Sequence, residues 1–330
     1  MKIAVFSTKP YDRRFLNDAA KEAGHELTFL DAKLSEATCR LAEGHDAVCI
    51  FVNDDASSEV IERLAEAGVT SIALRCAGFN NVDLDACQSH DVSVVRVPAY
   101  SPHAVAEHAV ALILSLNRNI HRAYHRIRDN NFAIDGLLGF DLHGKTVGIV
   151  GMGKIGIEFA KIMSGFGCRV LAFDKGPSDS ARSIGVEFVE WSELLARSDI
   201  ISLHCPLNPD THHLINAEAI EQMKDGVMIV NTSRGGVVDT AAVIKGLKSR
   251  KIGHLAIDVY EEEGDVFFED LSNQVVPDDQ LARLTTFPNV LITGHQAFFT
   301  TEAMRAIAKT TMANLTDLET TGQCENGVGG

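Results

Sequence analysis

The chain has 330 residues and a formal net charge of -15 at pH 7, from 30 Lys and Arg against 45 Asp and Glu. It is 45% hydrophobic and 23% charged, close to the average for soluble globular proteins, which excludes a disordered or fibrous protein. The length suits two domains of roughly 150 residues each, and the acidic charge argues against non-specific binding to nucleic acid or to anionic membrane surfaces.

The first hundred residues alternate short apolar runs with helix-like stretches, which is typical of parallel sheets built from strand–helix–strand units. The apolar runs lack strict polar alternation, as strands do when helices cover both faces of a sheet. We therefore predict one doubly wound α/β domain here. Its five strands are expected at 2–7, 26–30, 47–52, 71–75 and 92–97.

A long helical pattern follows over residues 101–128, with Ser101 suited to the N-cap and Pro102 to the first helical position. Its length exceeds that of a usual globular helix, so we predict a single helix that links two domains. A second alternating series then predicts a full dinucleotide-binding sheet. Its six strands are expected at 146–150, 169–173, 200–204, 227–231, 254–258 and 290–293.

The end of the chain is predicted to hold a helix near 301–320 and a frayed, Gly-rich tail. One acidic segment, 261–283, interrupts the alternation between the last two strands. A loop of that length in a compact domain is more often functional than not.

The clearest motif is the G-x-G-x-x-G sequence formed by Gly151, Gly153 and Gly156. A predicted strand precedes it, an amphipathic helix follows it, and Asp174 ends the next strand, 18 positions after Gly156. Gly151 permits the tight turn, Gly153 lets the backbone approach a pyrophosphate, and Gly156 allows close helix packing. A carboxylate at Asp174 would bind the ribose hydroxyls and repel a 2′-phosphate, so the motif predicts NAD rather than NADP.

Three later strands end in polar residues whose chemistries fit together. Arg234 follows one strand beside two glycines, His295 follows the last, and the acidic run 261–263 follows the strand between them. Ligands of parallel sheets lie beyond the carboxyl ends of the strands, so these residues should meet at one crevice. Arginine can hold a carboxylate with two hydrogen bonds. Histidine exchanges protons near neutral pH, and a carboxylate on its far nitrogen would fix its tautomer.

The other histidines are weaker candidates. His121 and His125 lie one helical turn apart, but no Cys or carboxylate cluster completes a metal site, so a solvated helix face is the better interpretation and no metal is predicted. His204 ends a strand near the expected cofactor and is interpreted as a wall residue.

The seven cysteines are odd in number and include no CxxC pair, which predicts free or buried thiols in a reducing compartment. No apolar stretch approaches the roughly 18–20 residues of a membrane span, and the N-terminus lacks a signal-peptide core. A cytoplasmic protein is therefore expected.

Six motifs stand out along the chain: AGFNNVD at 77–83, VPAYSP at 97–102, VGMGKIG at 150–156, NTSRG at 231–235, DVYEEE at 258–263 and TGHQAF at 293–298. In these motifs the chain resembles the D-isomer-specific 2-hydroxyacid dehydrogenases over essentially its whole length, and within them it is most similar to the bacterial fermentative D-lactate dehydrogenases. The subgroup resemblance depends on the last of the motifs and on Phe267-Phe268-Glu269 in the acidic segment.

The resemblance implies two doubly wound parallel-sheet domains. One would be a flavodoxin-like substrate domain formed by 1–100 and 297–330, and the other an NAD-binding Rossmann domain over 101–296. It also implies NADH-dependent, reversible reduction of pyruvate to D-lactate, in a homodimer or a dimer of dimers.

Roles are also implied residue by residue. Arg234 would anchor the substrate carboxylate and His295 would donate the proton in reduction. Glu263 would be its partner, selected over its two neighbouring glutamates by its offset from Asp258. The implied substrate contacts are Ala77, Gly78, Tyr100 and Phe298. The implied cofactor contacts, besides the three motif glycines and Asp174, are Lys154, Ile155, Cys205, Pro206, Thr211, Thr232, Ser233, Arg234 and Asp258.

Two alternatives stay open at this point. The first is a dehydrogenase for bulkier 2-oxo acids such as phenylpyruvate or 2-oxoisocaproate. Aromatic residues at Tyr100 and Phe298 favour a small pocket, yet a methylene is worth only about 1–3 kcal/mol of discrimination. The second is an NADH-sensing corepressor, which the short tail and the complete Arg, Glu and His set disfavour.

Overall fold

The computed structural model describes residues 1–176 and 179–329. The chain divides into two compact units, one formed by Met1–Ser101 and Phe299–Gly330 and the other by Pro102–Phe298. The first unit is therefore discontinuous in sequence, and Phe298 belongs to the second.

The first unit is built on a six-stranded sheet. Five strands are parallel in the order β5-β4-β3-β1-β2, the order of flavodoxin-like sheets, and a sixth, β13, is antiparallel to β5. Every residue of β3 and β4 is buried, as the uninterrupted apolar runs predicted. The strands are β1 Lys2–Val5, β2 Glu26–Phe29, β3 Ala47–Ile50, β4 Ser71–Leu74, β5 Ser93–Arg96 and β13 Gly327–Val328.

Helices cover both faces of this sheet. Two of them, α1 and α12, pack together over one face, and α2 and α3 pack over the other. The helices of this unit are α1 Pro10–Ala23, α2 Ser58–Glu66, α3 Leu84–Ser89 and α12 Thr301–Thr321, with a 3-10 turn at Cys39–Ala42.

The second unit is built on a fully parallel, seven-stranded sheet. Its order, β12-β11-β10-β9-β6-β7-β8, is that of a dinucleotide-binding sheet with one added strand. The strand order reverses between β6 and β9, the point where such sheets form their ligand crevice. The strands are β6 Thr146–Val150, β7 Arg169–Phe173, β8 Glu187–Phe188, β9 Ile200–Leu203, β10 Val227–Asn231, β11 Ile252–Ile257 and β12 Val290–Ile292.

Two apolar clusters lie on the two faces of this second sheet. In one of them α4 packs against α6. The helices are α4 Pro102–Asn117, α5 Ile120–Arg128, α6 Lys154–Gly165, α7 Asp179–Ser183, α8 Trp191–Arg197, α9 Ala217–Gln222, α10 Thr240–Ser249 and α11 Asp279–Thr285, with 3-10 turns at Gly235–Val237 and Glu263–Asp265.

The prediction of one helix over residues 101–128 is wrong. The helix ends at Asn117, and α5 starts after Asn119, whose φ of 51° lies in the left-handed region. Asn117 is buried, and its side chain donates to Phe140 O at 2.7 Å and accepts from Phe140 N at 2.8 Å. Asparagine is one of the few residues that enter this region readily, and a continuous apolar pattern does not reveal such a break.

The C-terminal tail is not frayed over the described residues, contrary to expectation. Arg96 N donates to Asn326 O at 3.1 Å, and Gly327 pairs with β5. The second sheet has seven strands, one more than the six predicted. The additional strand, β8, is only two residues long and leaves little pattern in the sequence, so it was not predicted. The segment 261–283, which interrupts the predicted alternation, is not a loop throughout. Its last residues form the start of α11, and Asp278 caps that helix.

All seven cysteines lie in the described part of the chain, and none of them forms a disulfide bond, as predicted. Among the helices in the described part of the chain, none has both the length and the apolar content that a membrane span requires.

Candidate active site

Three neighbouring strands of the second sheet lead into the predicted reacting residues. Arg234 follows β10, Glu263 follows β11 and His295 follows β12. These strands are adjacent and parallel, so their carboxyl ends lie at one edge of the sheet. The structure therefore brings the three residues to the same edge of the second unit.

Close contacts of the backbone require two of the three motif glycines. Gly151 has φ 93°, and a Cβ there would lie 2.8 Å from the backbone nitrogen of Cys205. A Cβ on Gly156 would lie 2.1 Å from Gly151 O, so any side chain there would force the following helix away from the glycine turn. By contrast, a Cβ on Gly153 would meet no described atom within 4 Å. The open space therefore lies at the glycine that the motif assigns to a pyrophosphate.

The first turn of α6 supports the same assignment. Gly153 is its N-cap and supplies no capping side chain, so the first amides and the positive end of the helix dipole are suited to an anion. Lys154 is exposed and Ile155 is partly buried at this turn. Their predicted pyrophosphate contacts fit this geometry.

Asp174 is held by the glycine turn itself. Its Oδ2 accepts from Met152 N at 2.6 Å and its Oδ1 accepts from Gly176 N at 3.0 Å. The carboxylate is partly exposed beside the turn. This places an oriented negative charge where the motif expects the ribose hydroxyls.

The loop after β9 carries the predicted adenosine contacts. Cys205 is buried, and burial raises the pKa of its thiol to about 11, so it stays protonated. Pro206 is exposed, and its carbonyl accepts from Thr211 Oγ1 at 2.6 Å. Their contacts with the cofactor stay predictions.

His204 precedes this loop and carries no carboxylate partner among the described residues. Its Nε2 lies 2.9 Å from Ser202 Oγ, its Nδ1 is buried without a hydrogen bond, and its ring packs on Phe159. Burial lowers the pKa of His204 to about 3. The side chain is therefore neutral near pH 7, which suits a wall residue and not a proton donor.

The loop after β10 is fixed by Asn231. Its Oδ1 accepts from the nitrogen and hydroxyl of Ser233 at 3.0 and 2.8 Å, and its Nδ2 donates to Arg234 O at 2.9 Å. The Arg234 side chain is partly exposed, and Nη1 donates to Ser233 O at 2.7 Å. Thr232 Oγ1 is buried and has no partner within the described chain, so a ligand hydroxyl would satisfy it.

Glu263 and His295 form a direct pair. Nδ1 of His295 donates to Oε1 of Glu263 at 3.0 Å, and Oε2 accepts from Tyr260 N at 3.2 Å. The two side chains are only 16% and 24% exposed. The rings of Phe268 and Phe298 lie 5.7 and 6.4 Å from the imidazole. The bond fixes the tautomer and leaves Nε2 as the nitrogen that can serve a substrate.

Asp258 holds the backbone that carries His295. Its fully buried carboxylate accepts from Thr293 Oγ1 at 2.5 Å, Gln296 N at 2.9 Å and Ala297 N at 2.8 Å, and its carbonyl accepts from His295 N at 2.7 Å. The carboxylate oxygens thus face residues 293–297. The predicted contact with the cofactor carboxamide stays a prediction.

Three predicted substrate residues belong to the first unit. Ala77 O accepts from Arg96 Nη1 at 2.7 Å, and Gly78 O accepts from Cys76 Sγ at 3.3 Å. Both residues and Tyr100 are partly exposed. Their roles toward the substrate carboxylate and methyl group stay predictions.

Sequence reasoning missed a second carboxylate–imidazole pair. His213 Nε2 makes a very short hydrogen bond to Glu261 Oε1, and His212 stacks on His213 with ring centroids 4.0 Å apart. The adjacent histidines at 212 and 213 were the available signal, but no sequence pattern relates them to Glu261, 48 residues away.

A family model described as "D-isomer specific 2-hydroxyacid dehydrogenase, NAD binding domain" matches residues 110–297. The chain is 56% identical over 326 residues to a D-lactate dehydrogenase of Escherichia coli strain K12, with 99% of each chain covered.

Solved structures show the same similarity. The apo-structure of D-lactate dehydrogenase from Escherichia coli has a TM-score of 0.90 at 52% identity and covers 99% of this chain and 100% of its own. The NAD complex of a D-isomer specific 2-hydroxyacid dehydrogenase from Lactobacillus delbrueckii ssp. bulgaricus has a TM-score of 0.81 at 30% identity, with 99% and 100% covered. The prediction of two parallel-sheet α/β domains is confirmed.

Proposed function

Because the chain belongs to the D-isomer specific 2-hydroxyacid dehydrogenases, we propose that it reduces pyruvate to D-lactate with NADH and catalyses the reverse reaction. The predictions of this family, of an enzyme and of NAD as the cofactor are confirmed. The choice of pyruvate is supported by the similarity to D-lactate dehydrogenases over nearly the whole chain.

The observation that carries the mechanism is the Glu263–His295 hydrogen bond of 3.0 Å at the sheet edge where Arg234 also lies. When bound, NADH would supply the hydride for the carbonyl carbon. Arg234 binds the substrate carboxylate through its planar guanidinium. His295 donates a proton from Nε2 to the carbonyl oxygen, and Glu263 holds Nδ1 and stabilises the imidazolium.

The residues around the glycine turn fit NAD. The open space at Gly153, the first turn of α6 and the oriented carboxylate of Asp174 suit a pyrophosphate and a ribose with free hydroxyls. Thr232 Oγ1 would bond a hydroxyl of the second ribose.

The test is an NADH-oxidation assay on the purified chain with pyruvate, phenylpyruvate and glyoxylate, followed by chiral analysis of the product. We expect the highest kcat/KM with pyruvate, D-lactate as the product, and a lower rate with NADPH. L-lactate as the product, or no NADH oxidation with any of these acids, would overturn the proposal. A higher kcat/KM with phenylpyruvate would support the enzyme for bulkier acids.

We also propose a homodimer formed through the second unit. The helix α5 has no buried residue, and large apolar side chains are 54% to 94% exposed along it and the segment that follows. An exposed apolar surface of this kind is typical of a protein interface. Its members are Ile120, Tyr124, Ile127, Phe132, Ile134 and Leu138. Light scattering after size exclusion should give twice the chain mass for the wild type and a monomer for Ile134→Asp; a monomeric wild type would overturn this.

A cytoplasmic, fermentative role follows from the same proposal. Seven cysteines without a disulfide bond suit a reducing compartment, and reduction of pyruvate would regenerate NAD⁺. Fractionation of cells that express the chain should recover the activity in the soluble cytoplasmic fraction.

A further inference from the structure

We propose that His212, His213 and Glu261 form a site for a divalent transition-metal ion, with Zn²⁺ the best match. The two histidines lie on the loop after β9, and Glu261 lies on the segment after β11. Imidazole nitrogen and carboxylate oxygen are both common zinc ligands. In the described part of the chain this is the one group of three such residues with its ligand atoms close together.

The spacing of the three ligand atoms is close to that of a metal site. They all lie within 4.8 Å of one another. Tetrahedral zinc with bonds of about 2.0–2.2 Å places its ligands about 3.4 Å apart. The widest separation in the group must therefore shorten by at most about 1.4 Å, and the hydrogen-bonded atoms of His213 and Glu261 must move apart toward the same spacing. His212 is exposed, so rotation of this one side chain can supply most of that movement. Water would complete the coordination.

The bond between His213 and Glu261 already sets up the site. Before an ion binds, Nε2 of His213 donates to Oε1 of Glu261. Zinc binds neutral imidazole and ionised carboxylate, so the ion would take the place of that hydrogen at Nε2 while the imidazole keeps its one proton on Nδ1. Protons compete with zinc for both ligands, so binding should weaken on acidification.

Glu261 also has the outer support that metal ligands usually have. Its Oε2 accepts from the hydroxyl and the backbone nitrogen of Thr240 at 2.9 and 3.3 Å. Hydrogen bonds of this kind orient a coordinating carboxylate and raise metal affinity. The second carboxylate oxygen is thus held while the first faces the histidines.

The site joins two segments next to the reacting residues. His213 N donates to Gly236 O at 2.8 Å, and the Cα of Gly235 packs so tightly on Tyr260 O that a Cβ would lie 1.9 Å from it. An ion here would tie the loop that carries Arg234 to the segment that leads to Glu263. Because the ion would bind the folded chain only, it should raise the melting temperature.

The experiment uses the full chain, stripped with a chelator and titrated with Zn²⁺ in competition with a chromophoric chelator. We expect one tight ion per chain. His212→Asn, His213→Asn and Glu261→Gln should each weaken binding more than 100-fold, and Thr240→Val by roughly 10–100-fold, the range typical of outer-shell partners. His90→Asn, which alters an exposed histidine of the first unit, serves as the matched control and should bind like the wild type.

A second readout separates this site from the reacting histidine. Zinc should raise the melting temperature of the wild type and of His295→Gln, but not that of His212→Asn. Unchanged zinc affinity in His212→Asn and His213→Asn would overturn the proposal. So would loss of binding in His295→Gln with retention in His213→Asn, since the ion would then occupy the reacting site. His212 is exposed, so its variant keeps the test valid if Glu261→Gln fails to fold.

Discussion

Two carboxylate–imidazole pairs arise from the same run of three glutamates, and their surroundings differ. Glu263 bonds His295, whose imidazole lies 5.7 and 6.4 Å from the rings of Phe268 and Phe298. Glu261 bonds His213, whose side chain is 34% exposed and stacks on a second histidine.

A carboxylate–imidazole pair does not by itself determine which chemistry it supports. Two aromatic rings lie near His295, whose side chain is only 16% exposed, and a backbone fixed by the buried Asp258 orients the imidazole, which suits directed proton transfer. A second imidazole and the supporting Thr240 suit the Glu261 pair to coordination of a cation.

The largest expected effect comes from replacing the histidine of the first pair. His295→Gln removes the proton donor, so kcat for pyruvate should fall by about 10²–10⁴-fold, the usual contribution of general acid catalysis. NADH affinity, measured by quenching of the single tryptophan, Trp191, should change little.

The matched variant is His213→Asn, assayed with a chelator present. Its kcat should fall by no more than about threefold, because His213 is not expected to touch the substrate. An equal loss of kcat in the two variants would mean that the two pairs do not differ in the way proposed.

A smaller loss of catalytic efficiency is expected when Arg234 is replaced. This residue lies on the loop after β10, next to both carboxylate–imidazole pairs. Arg234→Gln should cost about 2–5 kcal/mol of transition-state binding, which lowers kcat/KM for pyruvate by roughly 30- to 5,000-fold, because the substrate carboxylate loses its cation. Arg305→Gln, at an exposed position of α12, is the control and should retain wild-type kcat/KM.

A double variant sharpens the comparison. When Arg234→Gln is combined with His295→Gln, the free-energy losses in kcat/KM should be less than additive, because both residues act on one substrate. When Arg234→Gln is combined with Glu261→Gln, the losses should be additive. Additive losses for Arg234→Gln with His295→Gln would argue against a shared substrate.

Much of this architecture could be predicted from the sequence. The glycine motif and the apolar strands carry local signals, so the sheets and the residues at their carboxyl ends followed from pattern alone. Other features could not be predicted from the pattern: the break at Asn119, the two-residue strands β8 and β13, and the Glu261–His213 bond. Each depends on one backbone angle or on a contact between distant segments, and neither has a periodic signature.

A third histidine at the same sheet edge tests what a carboxylate partner contributes. His204 is buried, its pKa is lowered from about 6.5 to about 3 by desolvation, and no described carboxylate bonds it. The unfolded chain therefore binds a proton at this site below pH 6.5 and the folded chain does not, so stability falls as the pH drops from 6.5 toward 3.

Between pH 7.5 and pH 5 this histidine alone should lower the free energy of unfolding by about 2 kcal/mol, which is roughly a 30-fold change in the folding equilibrium. Urea unfolding followed by Trp191 fluorescence, at fixed protein concentration, measures it. Over the same pH interval, the free energy of unfolding of His204→Phe should fall by about 2 kcal/mol less than that of the wild type. Equal losses would show that His204 does not titrate as its burial requires.

The smallest expected effect compares the two glutamates directly. Glu263→Gln keeps a hydrogen-bond acceptor for Nδ1 of His295 but removes the negative charge that stabilises the imidazolium, so kcat should fall by about tenfold or somewhat more. Glu261→Gln makes the same chemical change two residues away, and in chelator its kcat should fall less than about threefold. Zinc should reverse the ranking of the two variants: its affinity should fall in Glu261→Gln and stay near the wild-type value in Glu263→Gln. If Glu261→Gln instead lost the greater share of kcat, Glu261 would be the carboxylate that supports proton transfer, and the offset from Asp258 that selected Glu263 would be the wrong criterion.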